Sequence, residues 1–294
     1  MNAPPLPAEV HHRLATAEGV LFDIDGCLVL FGQTPHDSIA LPGAAAAITA
    51  LRASGRAVAA FTNASAKTPA GIAAALHELG IPLDEHEILT PAAVAAEVIT
   101  SRYADRPVLA FGGPGLLDVL HARGTALLDE DADPTDAAAV VVGWDTNFHR
   151  DRLQRAAEAL WNGAELLTTS DAPSFASRGR PTAGVSGFIA HGLAHVTGAQ
   201  VEILGKPSPT AMEMAARKLG VDHGKLLVVG DDLTLEIRMA LAAGATAVLT
   251  TTGTHSATDA AAAPRATRPD LVVDGLPELL ALWPEVDEAD GGGL

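Results

Sequence analysis

The chain has 294 residues, a formal net charge of −17 at neutral pH, 48% hydrophobic but only 4% aromatic residues, and one cysteine. The acidic balance argues against a nucleic-acid partner, whose phosphates need clustered Lys and Arg, and a lone cysteine rules out an internal disulfide or a cysteine-built zinc site. Nowhere do eighteen apolar residues run together, and no basic stretch precedes a long apolar one at the start, so no membrane span and a cytoplasmic location are expected.

The Pro-rich start reads as a loose arm. GVLFDI (19–24) is the first strand, with Asp23 and Asp25 two apart at its end. An extended chain turns both to one side, at the edge where open α/β sheets bind ligands; an Asp-Gly turn is the plain alternative. Cys27, beside that strand end, reads as a packing residue. PGAAAAITALRASG (42–55) has Pro near its start and Gly at its end, as a helix does. AVAAFTN (57–63) is the next strand, ending in Thr62 and Asn63, and TPAGIAAALHELG (68–80) is another helix. Hydroxyl and amide groups before a helix suit a phosphate oxygen or a plain cap.

Residues 91–203 have their own rhythm: helices PAAVAAEVITSRY and DRLQRAAEALWNG, and strands PVLAFG, AAVVVGW and AELLTTS. This segment reads as a second α/β domain inserted into a first one formed by 1–90 and 204–294. DEDADPTDA is a solvated loop within it. FGGPGLL lacks Gly-x-Gly-x-x-Gly spacing and reads as an ordinary strand-to-helix turn. His191 and His195 stand four apart on a helix without the Glu of the His-Glu-x-x-His pattern, so a surface or packing role is expected. Trp144, Asp145, Phe148 and Arg178 are candidate contacts for a leaving group.

The first rhythm returns with SPTAMEMAARKLG, KLLVVGDD, LTLEIRMALAAG, ATAVLTTTG, DLVV and LPELLALW, before a frayed DEADGGGL. The class is α/β, a Rossmann-like doubly wound parallel sheet with an inserted α/β domain. Asp231 and Asp232 form a second acid pair at a strand end. Two such pairs repel unless a cation lies between them, and oxygen ligands suit Mg²⁺; two unrelated helix caps are the alternative. Lys206 in GKPSP precedes a helix and either neutralises phosphoryl charge or lies solvated.

An Asp pair (DIDG), a Thr (FTN), a Lys (GKPSP) and a second acid pair (GDDLTLEI), in this order at strand ends, resemble the four motifs of the haloacid dehalogenase (HAD) superfamily of phosphotransferases. The resemblance covers nearly the whole chain. GDDLTLEIRMALAAGATAVLTTTGT, GKPSP, LPGAAAAITALRASG and ELLTTSDA are similar to the p-nitrophenylphosphatase-like, NagD-type group, in which a large α/β cap is inserted between the second and third motifs.

That resemblance implies a phosphatase of small phosphorylated metabolites with Asp23 as nucleophile and Asp25 as general acid and base. Mg²⁺ would be held by Asp23, the Asp25 main-chain carbonyl and Asp231, with Asp232 a further metal-shell carboxylate or a helix cap. Thr62, Asn63 and Lys206 would bind phosphate. The cap motif implies substrate contacts at Thr169 and Asp171, and the group implies a homodimer through the caps.

Two departures stand out: Thr168-Thr169-Ser170-Asp171 replaces the usual Thr-Asn-x-Asp, and Glu236 stands where the group has Asp. A dehalogenase would need neither Asp25 nor the second acid pair, and a phosphonate hydrolase would want a cap lysine, which 91–203 lacks. A signalling receiver domain is far shorter. A phosphometabolite sensor would use the same pocket without turnover.

Overall fold

The computed structural model describes residues 6–32 and 37–283. The larger sheet has six parallel strands in the order β14-β13-β12-β1-β4-β5: β1 (Gly19–Asp23), β4 (Ala57–Phe61) and β5 (Ile88–Leu89) from the first part of the chain, β12 (Leu226–Gly230), β13 (Thr246–Thr250) and β14 (Leu271–Val273) from the last. Central β1 is buried along its whole length, so its sequence is continuously apolar up to Asp23. It pairs in register with both parts, Gly19 opposite Leu226 on one side and Ala57 on the other. The strand order runs outward in opposite directions from this pair, which opens a crevice at the carboxyl ends of β1 and β12.

A second sheet, order β11-β8-β7-β6, is parallel throughout. It comprises β6 (Val108–Phe111), β7 (Ala139–Val142), β8 (Glu165–Thr168) and β11 (Val201–Ile203). Side chains of β1 alternate between faces: Val20 and Phe22 join a core with Ile48, Leu51 and Leu76, while Leu21 joins another. That second core runs through α4 (Pro91–Tyr103) to Val108 and Leu116, so apolar packing is continuous from one sheet to the other. A third cluster packs α6 (Arg150–Trp161) and α7 (Val185–Thr197) on the smaller sheet through Ala156, Leu160, Ile189 and Leu193.

Helix starts follow the sequence signals. Thr68 and Ser208 cap α3 (Pro69–Glu78) and α8 (Pro209–Leu219), each with Pro in the first turn, where a missing N–H is harmless. Residues 8–16 form α1 (Ala8–Thr16), which buries Val10 and Leu14; of the Pro-rich start expected as a loose arm, residues 1–5 lie outside the described residues. The stretch expected as one helix, 233–244, opens as a π-helical turn, Leu233–Ile237, before α9 (Arg238–Ala243); the wider turn has the Ile237 amide donating to the Asp232 carbonyl at 3.3 Å. DEADGGGL lies outside the described residues. Among those described, no helix is long and apolar enough to cross a membrane.

Candidate active site

At the carboxyl ends of β1 and β12, one cleft is lined by Asp23, Asp25, Asn63, Lys206, Asp231, Asp232 and Glu236. Asp23 is the last residue of β1. Asp25 is not on the strand; the chain turns after Asp23, and Asp25 is fixed by an isolated bridge to Val29. Thr62 follows β4 and its hydroxyl donates to Asp25 Oδ2 at 3.0 Å.

Lys206 is 1% exposed, and its ammonium has a partner for each of its three donors: Asp23 Oδ1, Glu236 Oε1 at 2.6 Å and the Phe61 carbonyl at 2.8 Å. Burial opposes its charge, but Asp23 and Glu236 outweigh burial and hold its pKa above the usual lysine range.

The carboxylates shift the other way. Burial pushes Asp23 up to about 7, Lys206 pulls it back, and Asp231 and Asp25 push it up again. Burial also raises Asp25, against the Thr62 hydrogen bond. It raises Asp231, helped by the Glu236 charge and opposed by the Thr254 amide, which donates to Asp231 Oδ2 at 2.6 Å. Glu236 rises for the same first reason, with Lys206 opposing. Five acids around one ammonium leave negative charge uncompensated, a donor set of hard oxygens that fits a divalent cation. Among the described residues, no three His, Cys, Asp or Glu side chains stand placed to hold a metal ion by themselves, so such an ion would need main-chain or water oxygens beside two carboxylates.

Two glycines shape this acid pocket. A Cβ on Gly26 would stand 2.7 Å from Asp231 Cγ, and one on Gly253 would stand 2.6 Å from the same atom. Gly26 also has φ +94°, open to glycine. Asp231 is thus seated in a slot between two backbones.

Several expected site residues have other partners. The Asn63 carboxamide is taken up by the Lys206 main chain, accepting from its N–H at 2.8 Å and donating to its carbonyl at 2.9 Å; its side chain therefore orients the lysine segment and is not free for phosphate. Asp232 caps the turn that follows it, its Oδ1 accepting from the Thr234 amide and hydroxyl, both at 2.7 Å, and its side chain also lines the cleft. Thr169 is fully buried, with its hydroxyl between Ser65 and Ser186, and Asp171 lines an adjoining hollow beside Pro207, Thr234 and Arg238, which shares Asp232 with the cleft. Neither lines the cleft with Asp23.

Of the leaving-group candidates, Asp145 is paired with Arg152 and Phe148 packs edge-on against Phe111 at 5.3 Å. Arg178 bonds the Phe31 carbonyl through its amide and the Asp37 carbonyl through its guanidinium, both at 2.9 Å. Trp144 lies 6.2 Å from the ring of Phe175. His191 and His195 lie exposed on α7, and Cys27 is buried.

What covers the cleft instead is a hairpin of β9 (Ser174–Phe175) and β10 (Thr182–Ala183), which contributes Ser174, Phe175 and Ala176. Strands of two residues leave no period to read. The remaining void is about 20 Å³, room for one water.

The haloacid dehalogenase-like hydrolase model matches residues 20–126 and a HAD-hydrolase-like model matches residues 203–279. Chronophin from Rattus norvegicus is 32% identical over 273 residues, 90% of this chain and 86% of the relative. The crystal structure of 4-nitrophenylphosphatase from Thermotoga maritima superposes with a TM-score of 0.81 at 27% identity, over 92% of this chain and 99% of that one. Glycerol phosphate phosphatase from Mycobacterium tuberculosis, in complex with magnesium, gives 0.78 at 27% identity, over 90% of this chain and 78% of that one.

The chain belongs to the haloacid dehalogenase-like hydrolases. Within them it falls in the p-nitrophenylphosphatase-like, NagD-type branch, and it is a phosphatase.

Proposed function

We propose that this phosphatase hydrolyses a small phosphorylated metabolite, with Mg²⁺, through an aspartyl-phosphate intermediate on Asp23. The observation that carries the proposal is the contact of Asp23 with Lys206 at the head of a pocket that also holds Asp25 and Asp231. An Asp23 oxygen attacks phosphorus as the phosphorus–oxygen bond to the alcohol breaks, and Asp25 gives its proton to the departing oxygen. A raised pKa suits Asp25 to that task. The Asp25 carboxylate then takes a proton from the water that attacks the acyl phosphate, which frees Asp23 and inorganic phosphate.

Asp23 and Asp231, with the Asp25 main-chain carbonyl, would hold the ion; the magnesium complex of the mycobacterial relative supports that choice of metal. When bound, it supplies positive charge to the phosphoryl oxygens and keeps Asp23 ionised. Lys206 adds a fixed charge on the same side, and Thr62 orients Asp25.

Residues 91–203 act as a cap over a catalytic core of 1–90 and 204–294, excluding water and selecting the leaving group. The β9–β10 hairpin lies over the cleft and leaves room for about one water, so the side chains it contributes would have to make way for an ester. Glycerol phosphate and 4-nitrophenyl phosphate, named for relatives, are the first esters to try. Phosphate release from such a panel with Mg²⁺ and with EDTA tests the reading: release must need the metal, and tight ester binding without release would make the protein a sensor. A homodimer and a cytoplasmic location belong to the same proposal; light scattering reads the first.

A further inference from the structure

The loop that follows β4, residues 62–67, holds two groups of the site at once. Thr62 bonds Asp25, and Asn63 brackets the main chain of Lys206. The same loop is the seat on which the smaller-sheet part of the chain comes down from three sides. The start of α5 (Pro114–Ala122) lies so close that a Cβ on Gly115 would stand 2.5 Å from the Lys67 nitrogen. From the end of β7, the Trp144 amide donates to Ser65 Oγ at 2.9 Å. From the end of β8, Thr169 Oγ1 meets Ser65 Oγ at 3.1 Å and donates onward to Ser186 Oγ at 3.3 Å.

All three hydroxyl residues are buried, Thr169 completely. Buried hydroxyls hold one geometry, because an unpaired one is costly to leave. A fourth contact ties in the lysine segment: Asn63 Nδ2 reaches Ser170 Oγ at 3.4 Å, and a Cβ on Gly205 would stand 2.5 Å from Asn63 Oδ1.

We propose that Ser65 and Thr169 are positioning residues, a hydroxyl joint through which the placement of residues 91–203 sets the orientation of Thr62 and Asn63, and hence of Asp25 and Lys206. Thr169 touches no reacting group. Its part in turnover is to fix the loop that does, and a valine there keeps the shape while deleting the joint. The activity half of this proposal rests on the phosphatase reading; the joint itself does not.

The test compares wild type, Thr169→Val, Thr169→Ser and Ser65→Ala by phosphate release and by hydrogen exchange of the amides in residues 60–67 and at Trp144. Thr169→Val and Ser65→Ala should lower kcat about tenfold, as a small misplacement of reacting groups does, with KM changed far less. Both should speed exchange at Trp144 and in 60–67, whereas Thr169→Ser, which keeps the hydroxyl, should restore kcat to within about twofold. Wild-type kcat and exchange in Thr169→Val would overturn the joint, as would Thr169→Ser losing as much as the valine variant. If the valine variant does not fold, Ser65→Ala decides by the same readings. A wild type that releases no phosphate sinks the phosphatase reading alone, since unchanged exchange in 60–67 is what refutes the joint in that case.

Discussion

Replacing Gly253 by Ala probes the Asp231 slot without touching any reacting group. The new methyl would stand 2.0 Å from Asp231 Oδ2 and 2.6 Å from its Cγ, where ordinary contact begins at 3.4 Å. The carboxylate must therefore retreat by about 1 Å or more, and a displacement of that size, even away from the reacting atoms, lowers turnover by about 10²-fold. Circular dichroism checks that the variant folds. Gly275→Ala is the control, because its nearest neighbours already lie at ordinary contact distance, 3.4 and 3.6 Å. Phosphate release is measured against Mg²⁺ concentration for both variants beside wild type. Gly253→Ala should need more Mg²⁺ and turn over about 10²-fold more slowly at saturation, while Gly275→Ala follows wild type. A Gly253→Ala protein with the wild-type Mg²⁺ curve and kcat refutes the assignment of Asp231 to the metal.

Further outcomes follow from the same geometry. Asp23 stands at about 7 in the fold against 3.8 for the free side chain, so between those values the folded state holds more protons than the unfolded one and stability in EDTA falls as pH rises, by about 4 kcal/mol for this residue. Lys206, with its pKa raised, stays charged throughout that window. Mg²⁺ should thus raise the melting temperature more at pH 8 than at pH 5; equal shifts would contradict the cation site. Lys206→Met removes the one ammonium facing Asp23 and Glu236 and should reduce turnover about 10²- to 10³-fold, which phosphate release on folded protein checks. Arg152→Ala leaves Asp145, 3% exposed, without its ionic partner, so chemical denaturation should show a loss of about 1–3 kcal/mol, and no loss would mean that Asp145 finds water or another donor.

The strand ends were legible because buried parallel strands are continuously apolar and their polar terminators stand out, as Asp23, Thr62 and Asp231 do. What a linear pattern could not carry is which partner a polar side chain finds. The position of Asn63 before a helix points to phosphate, yet Lys206, 143 residues away in the chain, takes up its amide. The cap motif implies a substrate contact at Thr169, while its hydroxyl meets Ser65, 104 residues away. Glu236 stood out only as a departure from Asp, while in the fold it is an ionic partner of the buried lysine. The hairpin over the cleft left no trace, since neither β9 nor β10 is long enough to show alternation.

Phosphate release by wild type and by Asp23→Asn, each with Mg²⁺ and matched for folding by circular dichroism, tests the central assignment most directly. The account predicts metal-dependent release from wild type and none from the variant, because an amide in place of the carboxylate has no oxygen able to attack phosphorus. Sustained turnover by folded Asp23→Asn would contradict it and move the nucleophile elsewhere in the cleft.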